Sequence, residues 1–362
     1  MNVTFLIGNG FDIALGLKSS YVDFYNWYWN QSSDSQQIEA MKMSIKTDIE
    51  KGGKNWSDFE IGLGKYTSIF TKDTVQGFLH CYDDVGSKML EYLELETGRF
   101  EEDIDKTKIE TFRKGIANFL SNLQPREQKE IENYFPQNGN YNVTVKMVSF
   151  NYTSWLDAFV EKASKEPLRI WNTGVYQHTM SLAPDVIHVH GKINEWPTFG
   201  VNDESQIANK DLLSDATFHD IMIKPRSVVK NGQLWHEDAH NIIGNSDVIC
   251  IFGMSLGDTD SVWFEQIMEW LPANAAHHLI LFWYTDNPSN GRSVLQMTQN
   301  RRTARTRLTG FSALTNEMIA TIEDRIHVVE NTKKLFNIKL NERAKIVKLK
   351  DVVDQEFQKN NA

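Results

Sequence analysis

Residues 5–24 read FLIGNGFDIALGLKSSYVDF, and this stretch decides the fold. The apolar run at 3–7 stops at Gly8-Asn9-Gly10, and helix signals follow: a strand, a tight glycine turn and a helix. Such a turn suits a nucleotide pyrophosphate. Glycines let backbone N–H groups approach the phosphates, and the helix N-terminus adds partial positive charge. A glycine pair alone says little, because many buried strands end in glycine. Three later stretches strengthen it: SFNYTSWLD at 149–157, IHVHGKI at 187–193 and ICIFGMSLGDTD at 249–260. Each is expected at the C-terminal end of a strand, where ligands bind in open α/β sheets.

Working outward, strands are expected at 2–8, 143–150, 168–173, 186–190, 247–253, 278–284 and 325–330, with helices at 154–164, 261–270, 312–323 and 341–358. This alternation predicts an α/β fold, a Rossmann-like mostly parallel sheet covered by helices. Between the first two strands the pattern is helical and charged, so a large helical insertion is expected. The division is a core of 1–30 and 141–335, an insertion at 31–140 and a C-terminal helix within 336–362. The stretch 195–236 is rich in polar residues, glycine and proline, and reads as irregular chain near the site.

The net charge is 38 − 48 = −10, which argues against general binding to nucleic acid or anionic membranes. One local exception is the cluster Arg301, Arg302, Arg305 and Arg307, either a solvated helix end or a phosphate-contacting patch. No window approaches about 18 uninterrupted apolar residues, and the start lacks a basic leader pattern, so a cytoplasmic protein without a membrane span is expected. The two cysteines, Cys81 and Cys250, suggest neither a zinc site nor a disulfide framework. No nucleophile elbow or phosphate-loop lysine is present.

Among the candidates, Asn151 falls in a strand-to-helix turn with Thr153 as a possible cap; its amide suits a sugar hydroxyl or a water, or else its own backbone. In 187–190, strand alternation puts His188 and His190 on one face, and Gly191 lets a ligand approach His190. Histidine is the side chain whose ordinary pKa suits a general base near neutrality. Gly253 and Ser255 end the central strand. Asp258 and Asp260 read as caps of the helix that follows, and Asp12 as a first-turn cap or a ribose contact.

The ordered set GNGFD (8–12), FNYT (150–153), HVHG (188–191) and FGMSLGDTD (252–260) resembles the phage abortive-infection AbiH family. More distantly it is similar to the sirtuin-like NAD-binding fold, through Gly8, Asn9, Gly10, Asp12, Asn151, His190, Gly191, Gly253, Ser255 and Leu256. The chain departs from protein-deacylating sirtuins in having two cysteines where their zinc ribbon needs four. It also has Asp12 in place of a hydroxyl residue, and Tyr152-Thr153 after the asparagine.

The resemblance implies antiphage defence by cleavage of the N-glycosidic bond of NAD. The Gly8–Gly10 turn would hold the pyrophosphate, with Phe11 and Asp12 beside it in the cofactor site, Asn151 would orient ribose or water, and His190 would accept a proton; no metal is implied. A nucleotide ligand, a phage-derived trigger and a homo-oligomer are the expected partners. Two other classes stay open: a non-enzymatic NAD or ADP-ribose sensor, and an effector acting on nucleic acid or translation through the arginine cluster.

Overall fold

Residues 248–252, Val-Ile-Cys-Ile-Phe, are all buried, as a strand flanked on both edges and covered on both faces must be. The computed structural model of the chain describes residues 1–52, 56, 58–101, 104–135, 139–289, 291–330 and 335–343. The helix expected over 341–358 lies, but for its first three residues, outside the described residues.

The chain opens with β1 (Asn2–Ile7), then α1 (Gly10–Leu15), α2 (Tyr21–Tyr28), α3 (Gln36–Glu50), α4 (Phe59–Tyr66), α5 (Val75–Gly98), α6 (Lys106–Ala117) and α7 (Pro125–Glu132). The middle holds β2 (Tyr141–Ser149), α8 (Trp155–Ala163), β3 (Arg169–Thr173), β4 (Tyr176–His188), α9 (Ala216–Met222), α10 (Lys224–Lys230) and α11 (Trp235–Gly244). The last third holds β5 (Val248–Phe252), α12 (Ser261–Ala273), β6 (His278–Trp283), α13 (Val294–Thr309), α14 (Asn316–Ile322) and β7 (Ile326–Glu330).

These strands form one seven-stranded sheet in the order β3-β4-β2-β1-β5-β6-β7. Every neighbouring pair is parallel except β3 with β4 at the edge. The chain runs from β1 outward through β2 to β4, then returns to the other side of β1 for β5, β6 and β7. The reversal falls between β1 and β5, and in open sheets the crevice beyond such a reversal takes ligands.

Strand alternation divides the core. Val3, Phe5, Val145, Met147, Cys250 and Ile280 face one apolar layer, completed by helices α1, α6 and α8 and by Leu335 and Phe336. Leu6, Val148, Ile249, Ile251 and Leu281 face the opposite layer, completed by α11, α12, α13 and Ile322 of α14. A third cluster lies apart: α2 to α5 pack Phe24, Tyr28, Trp56, Phe59, Phe78 and Tyr92 against Phe199, Phe218 and Met222. The helical stretch expected as one insertion therefore serves two cores, since Phe112, Ile116 and Phe119 belong to the sheet's own layer.

Three local expectations differ from the structure. The strand expected from 186 begins at Tyr176, because Ala183, Pro184 and Asp185 bulge out between Leu182 and Val186 and the ladder resumes beyond them. Residues 195–236 are irregular only in their first half, since α9, α10 and the start of α11 fill the second. Asp215 caps α9, its carboxylate accepting from Phe218 N, and Pro225 sits in the first turn of α10. Helices this short are too brief for their apolar period to be read. Finally, the arginine cluster lies within α13, and the expected 312–323 helix shortens to α14. No helix among the described residues is long and apolar enough to cross a membrane.

Candidate functional site

Register brings the four motif-bearing strand ends level. Ile7 pairs with Ser149 on one side and Phe252 on the other, and Ser149 pairs with His188. The glycine turn, Asn151, His190 and Gly253 thus emerge together at the C-terminal edge of the sheet.

The glycine turn is a packed junction. Gly8 N donates to Phe252 O at 2.9 Å, Gly10 N to Gly253 O at 2.8 Å and Phe11 N to Gly8 O at 3.0 Å. A side chain at Gly10 would put its Cβ 2.5 Å from Gly253 Cα, and one at Gly8 would sit 2.7 Å from Gly253 O. The close backbone approach that glycine permits is made by the β5 turn, where Gly253 itself has φ 73°. Asn9 uses both ends of its amide on Ser19, and the Phe11 ring is core, edge-on to Phe112, Phe159 and Phe336. Ser255 is exposed. Leu256 is buried with φ 52°, a left-handed conformation costly for a branched side chain, and its carbonyl accepts from Arg307 Nε and Nη2.

Asp12 joins two of the motifs. It is buried, and Thr153 Oγ1 donates to its Oδ2 at 2.7 Å, so Thr153 serves Asp12 rather than capping α8. Burial pushes the Asp12 carboxyl up to about 6, against the opposing pull of Thr153, the Asn151 amide and His188. Although close enough to Asp12 to influence it, Asn151 has neither amide atom in hydrogen-bond geometry with a protein partner.

The two histidines have separate surroundings. His188 Nδ1 lies 2.9 Å from Asn151 O, and its Nε2 lies 2.8 Å from Asp157 Oδ2, so both nitrogens face acceptors. His190 sits in the turn just past β4, edge-on to Phe150, with Gly191 following at φ 71°. A Cβ at Gly191 would lie 2.4 Å from Trp196 O, so here too glycine admits the protein's own chain.

His190 Nε2 lies 3.0 Å from Asp260 Oδ1, and its Nδ1 is buried without a partner. Asp260 occupies the N-cap position of α12 but does not cap it. Its Oδ1 instead also accepts from Lys224 Nζ at 3.2 Å, and Lys224 donates to Glu60 Oε2 of α4 at 2.8 Å. Burial lifts Glu60 above the usual carboxylate range, against the opposing pull of that lysine. Burial would lift Asp260 as well, but the Lys224 cation and His190 outweigh it and hold its carboxyl well below the usual range. Burial, then Lys224, hold His190 below the usual histidine range, while Asp260 pulls the other way.

Sequence reasoning missed Lys224 and Glu60 and misread Asp260 as a cap. The one available signal was a lone carboxylate in the apolar run Phe59-Glu60-Ile61-Gly62-Leu63. Of the arginine cluster, Arg301 pairs with Glu127, Arg305 with Glu323 and the exposed Arg307 with Asp258, leaving Arg302, also exposed, as the member with no partner among the described residues.

Two surface clefts flank this edge. One of about 380 Å³ is lined by Ile187, His188, Gly191, Lys192, Leu234 and Trp235. The other, of about 630 Å³, is lined by Asp203, Gln206, Asp258, Ser261, Arg307 and Phe311. Neither lining includes Asn151, His190 or the glycine turn. What the edge holds instead is unmet hydrogen-bonding capacity: Asp12 Oδ1, both amide atoms of Asn151, His190 Nδ1 and Glu60 Oε1 are buried without partners. Each such atom costs about 1–3 kcal/mol unless a ligand or water meets it.

Among known proteins, a family model described as bacteriophage abortive infection AbiH matches residues 4–282. No curated protein matches the chain.

Proposed function

The chain belongs to the bacteriophage abortive infection AbiH family, and from that premise, which carries a role in phage abortive infection, we propose that it acts by hydrolysing the N-glycosidic bond of NAD. The observation that carries the reading is the set of unpartnered buried atoms on Asp12, Asn151 and His190 at the C-terminal sheet edge. The strand order supports it: counted in order of appearance, the six parallel strands run 3-2-1-4-5-6, that of the Rossmann dinucleotide-binding sheet. The donor set, an amide, an imidazole and a carboxylate, suits a substrate with ribose hydroxyls.

In this reading nicotinamide leaves with the electron pair of its bond to the ribose. Water adds its oxygen to the same carbon, and His190 Nδ1 takes the proton that water releases. Asn151 orients the ribose or the water, and Asp12 faces the positive charge that develops on the sugar. Because the N–H groups of Gly8, Gly10, Phe11 and Gly191 already donate within the protein, the pyrophosphate is assigned to the loop that follows β5, with Gly253, Ser255 and Leu256 as the candidates.

A second reading, a nucleotide sensor, is favoured by one observation: Asp12, Asn151, His190 and Lys224 are all buried. Incubating purified chain with NAD, with and without phage lysate, separates the two. Equimolar release of nicotinamide and ADP-ribose supports the enzyme, binding without turnover under both conditions supports the sensor, and neither binding nor turnover overturns both.

A further inference from the structure

We infer that Asp260 is a positioning residue that holds His190 in the Nε2–H form, leaving Nδ1 as the atom that accepts a proton, and that Lys224 anchors Asp260 for this task. The inference rests on the reading of His190 as the base, but the tautomer itself can be measured without any substrate.

The argument begins with an unused cap. An aspartate at an N-cap position ordinarily accepts from the helix N–H groups. Asp260 stands there and makes no such bond, its carboxylate being directed to His190 and Lys224. A carboxylate oxygen only accepts, so the ring nitrogen facing it must carry the hydrogen. A neutral imidazole has one N–H, so the other nitrogen, Nδ1, is the lone-pair atom. That atom is buried, unpartnered and beside Asn151's turn, whose Tyr152 and Phe150 rings flank the imidazole. A base needs this arrangement: one nitrogen fixed by an acid that stays ionised, the other bare.

Lys224 keeps the acid ionised. Its backbone is fixed first: Val201 N donates to Met222 O at 2.8 Å and Lys224 N to Val201 O at 2.9 Å, a bridge that sets the start of α10 under α4. From there Nζ reaches both Glu60 and Asp260. The charged and titratable groups bearing on His190 are thus Asp260 ahead of α12, Lys224 of α10, His188 of β4 and His236 of α11, with Glu60 and Asp58 acting through Lys224. Asp260 and Lys224 pull the imidazole in opposite directions, and that opposition makes the arrangement testable.

The test is nitrogen NMR of the full chain carrying ¹⁵N-histidine, with His190→Gln identifying the resonance. In the unmodified protein near neutral pH, His190 is expected with Nε2 protonated and Nδ1 bare. Asp260→Ala should abolish that preference and move the His190 titration to lower pH, whereas Lys224→Met should move it to higher pH. Lys224→Arg, keeping the charge, should leave it near its original position and guards against a fold defect in the methionine variant. Asp260→Ala should also lower kcat for nicotinamide release by about 10²- to 10⁴-fold with KM little changed, and Asp260→Glu should recover part of it. A protonated Nδ1 in the unmodified protein, or titration shifts of the same sign in both variants, overturns the inference. The expected tautomer in a protein that leaves NAD intact upholds Asp260's role and overturns the NAD reading.

Discussion

Each end of the sheet buries a pair of histidines, and the two pairs sit in opposite chemistry. At the C-terminal edge His188 and His190 each face a carboxylate, Asp157 and Asp260. At the N-terminal edge, His278 opens β6 and His327 lies near the start of β7, with His278 Nδ1 3.0 Å from His327 Nε2 and the rings stacked. Their outer nitrogens have no partner, and burial pushes both rings down to about 4, each also opposed by nearby positive charge. A buried imidazole without an acid stays neutral and serves as a polar spacer. One with an ionised acid on a single nitrogen has a defined bare atom on the other. Equal burial therefore says little; the partner decides what the ring can do.

The largest expected effect sharpens that contrast. His190→Ala should slow NAD cleavage by about 10²- to 10⁴-fold while leaving the fold intact, and Asn151→Ala should do comparable damage. The double variant should be little worse than either single one, since the two would act as a unit. His327→Ala should leave turnover per folded molecule unchanged. Equal activity loss at both ends in a nicotinamide-release assay would break the comparison.

Next comes stability. Lys224→Met leaves the buried Glu60 carboxyl without its donor and the partly buried Asp260 carboxylate without its cation, and should cost about 3–5 kcal/mol in urea unfolding. Adding Glu60→Gln should recover a measurable part, because the two residues are in direct contact. Additive losses would show that the pair is not coupled.

The pH dependence is somewhat smaller. His278 and His327 stay neutral in the folded chain down to about 4, but bind protons at about 6.5 when unfolded. Between those values the unfolded state holds more protons, so their contribution is full above the unfolded pKa and is lost as pH falls through the window. The loss should be on the order of 3 kcal/mol for each ring, and replacing both rings with glutamine should flatten the urea midpoint between neutral and mildly acidic pH. A midpoint that rises on acidification would contradict the assignment. Smallest of all, Arg302→Ala should change stability by no more than about 0.5 kcal/mol. It should leave any RNA affinity unaltered in a filter-binding assay.

Much of the sheet was legible because apolar strand and glycine turn are local patterns, and four such ends in order located the edge. The remainder depends on partners distant in sequence. Lys224 meets Glu60 across 164 residues, and no local period announces a buried ion pair. Asp260 looked like a cap because it stands at a cap position, and only its side-chain direction reveals otherwise. Pro184 concealed the continuity of β4, since a proline reads as a break until a bulge is seen to absorb it. The glycine turn lies between β1 and α1, where the local pattern puts it, yet the atoms filling its space belong to the Gly253 loop, which no sequence window could disclose.

The buried clasp at Lys224 also sets how rarely this part of the chain opens. Loosening a buried ion pair costs about 3–5 kcal/mol. At 1.4 kcal/mol per decade, a form with that clasp undone is held to about 10⁻² to 10⁻⁴ of the molecules. That fraction bounds how often water reaches Lys224 and its two acids together, so the polar heart of this edge is as persistent as its apolar layers.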